Sequence, residues 1–573
     1  MKKNLIVLIL LCLPAFALLF QPGYFSMHDD LQATRQLEMA KCFTDGQIPC
    51  RWVPDLGYGF GYPLFNYYPS LPYLIGQPFH WLGFQFIDIV KIVGILGFVV
   101  TALNMYLLGR EFWGRLGGFI SAVFYTYAPY HSVDFWVRGA VNEFWALAFY
   151  PAIFFTTYKL IQTHSKKYIP LISLAVAALM LSHNPMLMIF APVYLAWIFF
   201  WWWRFRSIKS ITTLSISALW ALGLAAFFTL PVLFETKFVS VWTLTSGYFN
   251  YLAHYLDIKQ IFFNINWGYG SSELGPADSM SFALGYLHWL VPLVILVFLH
   301  RKPLVIFLTL VTLGSLFMAH SKSTPIWLYV KPLEFLQFPW RFLTLAVFAA
   351  SFLSGAIALV FKNKKILFSL LLALLILLNG NYFKPRDWYP DMTDAKKFSG
   401  KAWQLQITSG IFDYLPIWAP QPPPDPKGDD INFVSGDATF KTLFKKSNQQ
   451  KYEINVFSPK SVAEIQTYYF PGWRAYVDGR EVAIDNTSDK LLGRMQVTIP
   501  SGQHQLVVRL TNTPIRTVGN TISFVSWAII ILWILRLRSG IGKSSSTNQP
   551  GEKKLSSLSQ VRSRIRPDPN SPD

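Results

Sequence analysis

Ser26-Met27-His28-Asp29-Asp30 opens a stretch that closes with Gly59-Phe60-Gly61-Tyr62-Pro63-Leu64-Phe65-Asn66-Tyr67-Tyr68-Pro69. It follows the first apolar run, 4–20, so two adjacent carboxylates and a histidine stand at the mouth of a hydrophobic helix. Ionisable groups at a membrane boundary are costly, and they are retained where they do work. Most of the other unusual polar residues fall on the same side of the membrane as this loop once the chain is threaded.

Outward from that loop the chain is apolar. Of 573 residues, 53% are hydrophobic, 17% aromatic and only 14% charged, and many uncharged runs are long enough to cross a bilayer as helices. The fold class expected is an α-helical polytopic membrane protein. A formal charge of +19 invites a nucleic-acid reading. The basic residues instead cluster in short segments flanking apolar runs, as the positive-inside rule requires, so no nucleic-acid partner is expected. Cys12 lies in the first apolar run and reads as packing. Cys42 and Cys50 share the first loop, where a disulfide is allowed in an oxidising compartment; spacing alone leaves their pairing open.

With Lys2 and Lys3 inside, 4–20 reads as an uncleaved first span; the alternative is a signal peptide with Ala15-Phe16-Ala17 as cleavage site. The large first outer loop, 21–69, is followed by an amphipathic or re-entrant piece near 71–82. Spans are expected near 86–108, 116–130, 144–161, 169–181, 185–203, 214–234, 282–299, 304–319, 342–360 and 366–378. Their inner connections carry Arg110 and Arg115, Lys166 and Lys167, Arg204 and Arg206, Arg301 and Lys302, and Lys362, Lys364 and Lys365. The multi-span domain thus covers 1–381.

From 382 to 515 polar residues become common and a Pro-rich piece, 420–426, reads as a linker. Short alternating runs follow at 452–457, 462–469, 474–477, 495–499 and 504–510, with Asp478-Gly479 and Ser501-Gly502 as turns. This is the pattern of an extracytoplasmic C-terminal β-sandwich-like domain. A last span at 519–537 returns the chain to Arg536 and Arg538, making about 12 spans with both termini cytoplasmic. The polar tail, 539–573, reads as disordered and cytoplasmic.

Three constellations could carry chemistry. In the first, Asp29 and Asp30 beside His28 suit a general base, because a carboxylate near a low-dielectric boundary has a raised proton affinity; a helix cap or solvated loop is the competing reading. In the second, Arg138 and Glu143 flank Gly139-Ala140-Val141-Asn142 and either close the loop as an ion pair or supply a phosphate grip and a second acid. In the third, Arg341 follows Gln337-Phe338-Pro339-Trp340 and either snorkels to headgroups or binds a lipid phosphate. His183, with Asn184, lies on the same side and is as readily structural. No phosphate-binding loop, paired-Cys zinc motif, HExxH or dinucleotide fingerprint is present, which leaves ATP-driven transport unsupported.

A first span, an acidic motif in the first outer loop, many further spans and an extracytoplasmic C-terminal domain resemble the integral-membrane glycosyltransferases of the GT-C superfamily. The runs His28-Asp29, Gly46 to Trp52, Gly57 to Phe65, Arg138-Gly139-Ala140, Leu181 to Asn184, Gln337 to Arg341 and Tyr469 to Gly479 are more closely similar to uncharacterised bacterial multi-pass membrane proteins labelled 6-pyruvoyl-tetrahydropterin synthase-related. That resemblance covers roughly 1–535. Its label implies no pterin chemistry for this chain, which shows no small soluble fold and no obvious triple-His metal site.

The superfamily resemblance implies transfer of a sugar from a polyprenyl-phosphate donor to a glycan, lipid or protein acceptor outside a bacterial cytoplasmic membrane, with inversion. Asp29, or Asp30, would be the base and Glu143 a second acid. Arg138 and Arg341 would hold the donor phosphate, His28 and His183 would help bind substrate, and Tyr67 and Trp267 would stack against sugar. No metal ligand set or cofactor is read; assistance by a divalent ion stays open. The rivals are a transporter or flippase for a lipid-linked or envelope molecule, and a non-catalytic envelope assembly protein acting through its β domain.

Overall fold

The computed structural model describes residues 2–543 except 265, 275–277, 362–363 and 411–412, with the side chains of 534 and 537–543 also left aside. Among the described residues, seven helices are long and apolar enough to cross a membrane, by length and composition: Phe86–Thr126, Val141–Thr163, Asn184–Phe205, Ile208–Phe238, Pro339–Val360, Lys365–Tyr382 and Pro514–Trp533. Shorter apolar helices occupy Tyr168–Ser182, Tyr286–Leu299 and Pro303–Ala319. The expectation of about 12 spans meets these seven, because several expected spans are shorter helices.

Two expected spans, 86–108 and 116–130, run together in the longest helix. That helix is broken at Gly114, whose φ of 77° takes the chain out of the helical region. Past the break the chain doubles back: a Cβ on Gly118 would lie 2.9 Å from the Arg110 Cβ, and one on Gly109 would lie 2.7 Å from the Ser121 hydroxyl. Arg110 and Arg115 flank this reversal. The first segment is helical over Lys2–Cys12 and continues in tighter turns, with Leu8, Cys12, Ala15, Phe16 and Leu19 buried in the helical core.

The first loop is itself folded. Tyr24–Phe25 pairs antiparallel with Trp388–Tyr389, and the helix Gln32–Thr44 is buried along most of its length although it carries Gln32, Thr34, Arg35, Gln36 and Glu38. Burying so many polar groups is tolerable only because nearly all find partners. Cys42 and Cys50 are disulfide-bonded.

The C-terminal region departs from a sandwich of short strands. It forms one six-stranded antiparallel sheet built on two long strands, Gln449–Tyr468 and Arg494–Leu510. Each long strand contains two of the expected short runs. Val456 faces Gly502 and Lys460 faces Pro500, so three residues on one strand oppose one on the other. Pro459 cannot donate to a ladder, and Gly502 takes a φ of +115°, so a bulge forms where a turn was expected at Ser501-Gly502. Asp478-Gly479 does make the expected turn. Both residues have positive φ, the form that suits a two-residue hairpin between Trp473–Val477 and Arg480–Val482.

Sheet and first loop share one hydrophobic core. Trp52, Phe60, Tyr62 and Phe65 pack with Tyr468, Phe470, Trp473 and Val508. Trp52 meets Trp473 edge-on at 5.4 Å, a pair worth about 0.5–1.5 kcal/mol beyond its burial. Residues Met1–Phe524 accordingly form one compact unit, with no break at 382. The second unit, Val525–Asp573, is helical as far as Lys543, into the expected tail. From 544 the tail lies outside the described residues.

Candidate functional site

Asp29 is fixed by the backbone on both sides. The His28 amide donates to the Val137 carbonyl at 3.0 Å and the Asp29 amide to the Arg138 carbonyl at 2.9 Å, which docks the first loop on the segment before Val141–Thr163. The Asp29 carboxylate then turns toward the helix Gln32–Thr44. Its Oδ2 accepts from Arg35 at 2.6 Å and from Gln32 Nε2 at 3.2 Å. Oδ1 has no hydrogen-bond partner among the described residues, and about a third of the side chain is exposed. Arg35 is buried and lies 4.5 Å over the Tyr68 ring.

Asp30 faces elsewhere. Both of its oxygens accept from Lys397 Nζ, at 2.9 and 2.8 Å. Burial pushes its carboxyl above the usual range, and the Lys397 ammonium pulls it part of the way back. The adjacent carboxylates thus part company: one keeps an oxygen idle, the other is fully engaged. His28 is exposed, and its Nε2 lies 2.9 Å from the Tyr269 carbonyl. Trp267, two residues earlier, stacks on Tyr382 at 4.5 Å.

A second cluster joins four of the singled-out residues. The chain passes through a π turn at Val133–Val137, the kind of local expansion that often marks a working position. Arg138 follows, and then Gly139 at φ +67°, where Met27 occupies the space a side chain would need. Arg138 pairs with Asp134 and reaches Glu143 Oε2 at 3.1 Å. Arg341 Nε donates to the same Glu143 oxygen at 3.1 Å, and Tyr130 donates to Oε1 at 2.6 Å.

Glu143 and Asp134 are wholly buried. Arg341 also donates to the Leu336 carbonyl and to Gln337 Oε1, the latter on a residue held at φ 64°. Trp340 lies over Arg138 and Phe338 over Arg341. His183 stands near enough to feel Arg341, Glu143 and Arg138. Two guanidiniums and two carboxylates neutralise one another here, which is what makes their burial affordable.

Tyr67 belongs to neither cluster. Its hydroxyl donates to the Glu235 carbonyl at 2.6 Å, within a knot in which Glu235 also holds Arg516 and Asn66. Arg51 bonds Asn66, the Phe227 carbonyl and Asn520 in the same place. Among the described residues, no three of His, Cys, Asp or Glu are grouped so as to hold a metal ion.

Sequence reasoning missed Lys397, Gln406 and Asp413. Gln406 accepts from Thr34 at 2.8 Å. Asp413 is near both Asp29 and Arg35 and is pushed up to about 6, chiefly by burial; Arg35 draws it down and Asp29 pushes it up. No local pattern announces these residues, because each works through a contact more than three hundred residues away in sequence.

A family model described as 6-pyruvoyl-tetrahydropterin synthase related domain, membrane protein, matches residues 65–384, more than half of the chain. No curated protein matches. Among solved structures, the arabinofuranosyltransferase AftD from Mycobacteria superposes with a TM-score of 0.43 at 15% identity, over 68% of this chain and 27% of that one. A mutant of AftD gives 0.40 at 14% identity, over 68% and 28%. The Archaeoglobus fulgidus oligosaccharyltransferase, in complex with Zn and sulfate, gives 0.37 at 14%, over 68% and 54%. This chain spans under a third of the length of AftD and about half that of the oligosaccharyltransferase.

Proposed function

From the premise that this chain belongs to the 6-pyruvoyl-tetrahydropterin synthase related family of membrane proteins, we propose that it is a polyprenyl-phosphate-sugar-dependent glycosyltransferase. The observation that carries this reading is the Asp29 carboxylate: anchored by its backbone, gripped through one oxygen by Arg35 and Gln32, and idle at the other. A carboxylate so held is preorganised to receive a proton without first rearranging.

The acceptor hydroxyl oxygen bonds to the anomeric carbon of the donor from the face opposite the phosphate. The bond from that carbon to the phosphate oxygen breaks, the polyprenyl phosphate leaves with the electron pair, and the hydroxyl proton passes to Asp29 Oδ1. Asp30, saturated by Lys397, is the structural member of the pair. Arg138 and Arg341 are already engaged by Asp134 and Glu143, so they brace the segment on which the Asp29 loop is docked rather than clamp the leaving phosphate directly.

The acceptor is a glycan, lipid or protein on the outer face of a bacterial cytoplasmic membrane, with both termini inside. The Cys42–Cys50 disulfide supports an oxidising, external setting for the first loop. Binding of short-chain polyprenyl-phosphate sugars to detergent-purified protein tests the reading. Wild type and Asp29→Asn are expected to bind alike, with transfer by the wild type alone. If the wild type binds no polyprenyl phosphate, the transferase reading falls and lipid transport takes its place.

A further inference from the structure

The end of the helix Ile208–Phe238 packs closely against the start of the helix Pro514–Trp533. A Cβ on Gly519 would lie 2.7 Å from the Ala226 carbonyl oxygen, and the Phe227 amide donates to the Ser523 hydroxyl at 2.8 Å. Leu233, Phe234, Val518 and Ile522 are exposed on this pair, an apolar surface of the kind that meets lipid. Where the two helices leave the apolar region, the first loop reaches in with Arg51, Asn66 and Tyr67.

The charges in this knot do not balance. Glu235 Oε2 accepts from Arg516 Nε at 2.9 Å and from Asn66 Nδ2 at 3.0 Å, and Oε1 accepts from the Thr513 hydroxyl at 2.5 Å. Asn66 turns its own oxygen to Arg51 Nη1 at 3.0 Å, so Arg51 stands two hydrogen bonds from the carboxylate that neutralises Arg516. The other partners of Arg51 are the Phe227 carbonyl at 3.0 Å and Asn520 Oδ1 at 2.7 Å, both uncharged. Among the described residues no carboxylate pairs with Arg51, and two guanidiniums share one acid. Both are buried, Arg51 at 4% exposure and Arg516 at 1%. Each also keeps an enclosed donor without a partner, Arg51 through Nε and Arg516 through Nη2.

Arg51 stays a cation at neutral pH: burial and the Arg516 guanidinium draw it down only to about 9, against the pull of Glu235 and Tyr67. One positive charge is left over. A buried charge without a counter-charge is costly, and so is an enclosed donor left idle. An anion with several acceptor oxygens answers both, and the forked guanidinium matches the oxygens of a phosphate. We propose that Arg51 and Arg516 hold a phosphate group, and that the exposed apolar rows beside them make it the head group of a phospholipid. Asn520 and Thr513, which bond Arg51 and Glu235, are half-buried, and the knot meets its surroundings there. With Glu235 in place the surplus is a single charge, which suits a phosphodiester better than a phosphomonoester dianion. The lipid bridges the first loop and the last membrane helix, a role independent of the transferase reading.

The test uses the full-length protein, purified in an uncharged detergent and stripped of lipid. Phosphatidylglycerol, diacylglycerol and inorganic phosphate are added separately, with binding read by native mass spectrometry and the thermal unfolding midpoint followed. Phosphatidylglycerol is expected to bind and raise the midpoint, with no comparable rise from diacylglycerol or inorganic phosphate. Arg51→Gln removes the surplus charge and leaves the Arg516–Glu235 pair whole, whereas Arg516→Gln would strand Glu235. Arg51→Gln is therefore expected to weaken phosphatidylglycerol binding about ten- to a hundredfold without lowering the midpoint of the stripped protein. Arg51→Lys, which restores the charge without the fork, regains part of the binding.

A wild type that binds and is stabilised by neither phosphatidylglycerol nor inorganic phosphate overturns the proposal. So does phosphatidylglycerol binding of equal strength in wild type and Arg51→Gln. Equal stabilisation by inorganic phosphate, lost in Arg51→Gln, supports the phosphate site and overturns the lipid as its source. A protein that binds phosphatidylglycerol through Arg51 yet transfers no sugar overturns the transferase reading alone.

Discussion

The Glu143 cluster and the Asp29 loop are built from the same residue types and reach opposite electrostatic states. Around Glu143 every charge has an opposite charge within about hydrogen-bonding reach, and aromatic rings cover both arginines. Around Asp29 the grip is one-sided: Arg35 holds one oxygen, the other is idle, and a second acid stands nearby. Paired charges rigidify a buried region, whereas an uncompensated one stores reactivity, and a backbone pairing docks the second on the first.

Substitutions should separate these states. The largest effect is expected from Glu143→Ala, which strands two buried guanidiniums and the Tyr130 hydroxyl. It should cost about 3–5 kcal/mol, read as a collapse of the thermal unfolding midpoint in detergent. An unchanged midpoint would mean that the cluster is solvated and the contrast false. Asp29→Asn should do the reverse, lowering transfer by about 100- to 10,000-fold while costing stability no more than about 1–2 kcal/mol.

Asp413→Asn sharpens the comparison through pH. A carboxyl pushed up to about 6 binds its proton more tightly folded than unfolded, so stability falls as pH rises from about 4 to about 6. Near pH 7 the wild type carries the whole penalty. The asparagine variant should therefore be more stable there by about 1–2 kcal/mol, after allowing for partial solvent access, and the gain should vanish near pH 4. Thermal melts at both pH values check this, and a gain that persists in acid would sink it. The smallest effect belongs to His28→Ala. His28 is exposed and its side chain makes one hydrogen bond among the described residues, so its loss should stay within about 0.5 kcal/mol of wild-type stability.

Four members of the Glu143 cluster were legible in the sequence, because Arg138, Glu143, His183 and Arg341 each stand at an end of an apolar run that threading puts on one side; Asp134 and Tyr130, inside the turn between two such runs, were not singled out. The Arg138–Glu143 ion pair was one of two readings the sequence offered, but the convergence of Arg341 on the same carboxylate was not legible, since periodicity fixes the ends of helices but not their neighbours. Asp29 and Asp30 were visible as a pair, yet what distinguishes them is Lys397, supplied by the start of the region read as a separate extracytoplasmic domain. The strands from 452 onward were legible by alternation, whereas Ile431–Ser435 and Ala438–Lys446 were not read. Their continuity was hidden because Pro459 and Gly502 carry the same signals in a bulge as in a turn. The reversal at Gly114 was read correctly as an interruption between spans from its flanking arginines.

The core shared by the first loop and the sheet sets an order of events during synthesis. Gln47 bonds Ser447, a partner 400 residues further along the chain. At about 5–20 residues per second, the loop waits about 20–80 s before its cover exists. During that interval Trp52, Phe60 and Tyr62 stand without the strands that bury them, and for most of it Asp30 is without its Lys397 partner. The carboxylate site is therefore assembled late, and chains interrupted before the sheet carry the first loop as an adhesive apolar surface rather than as part of a binding site.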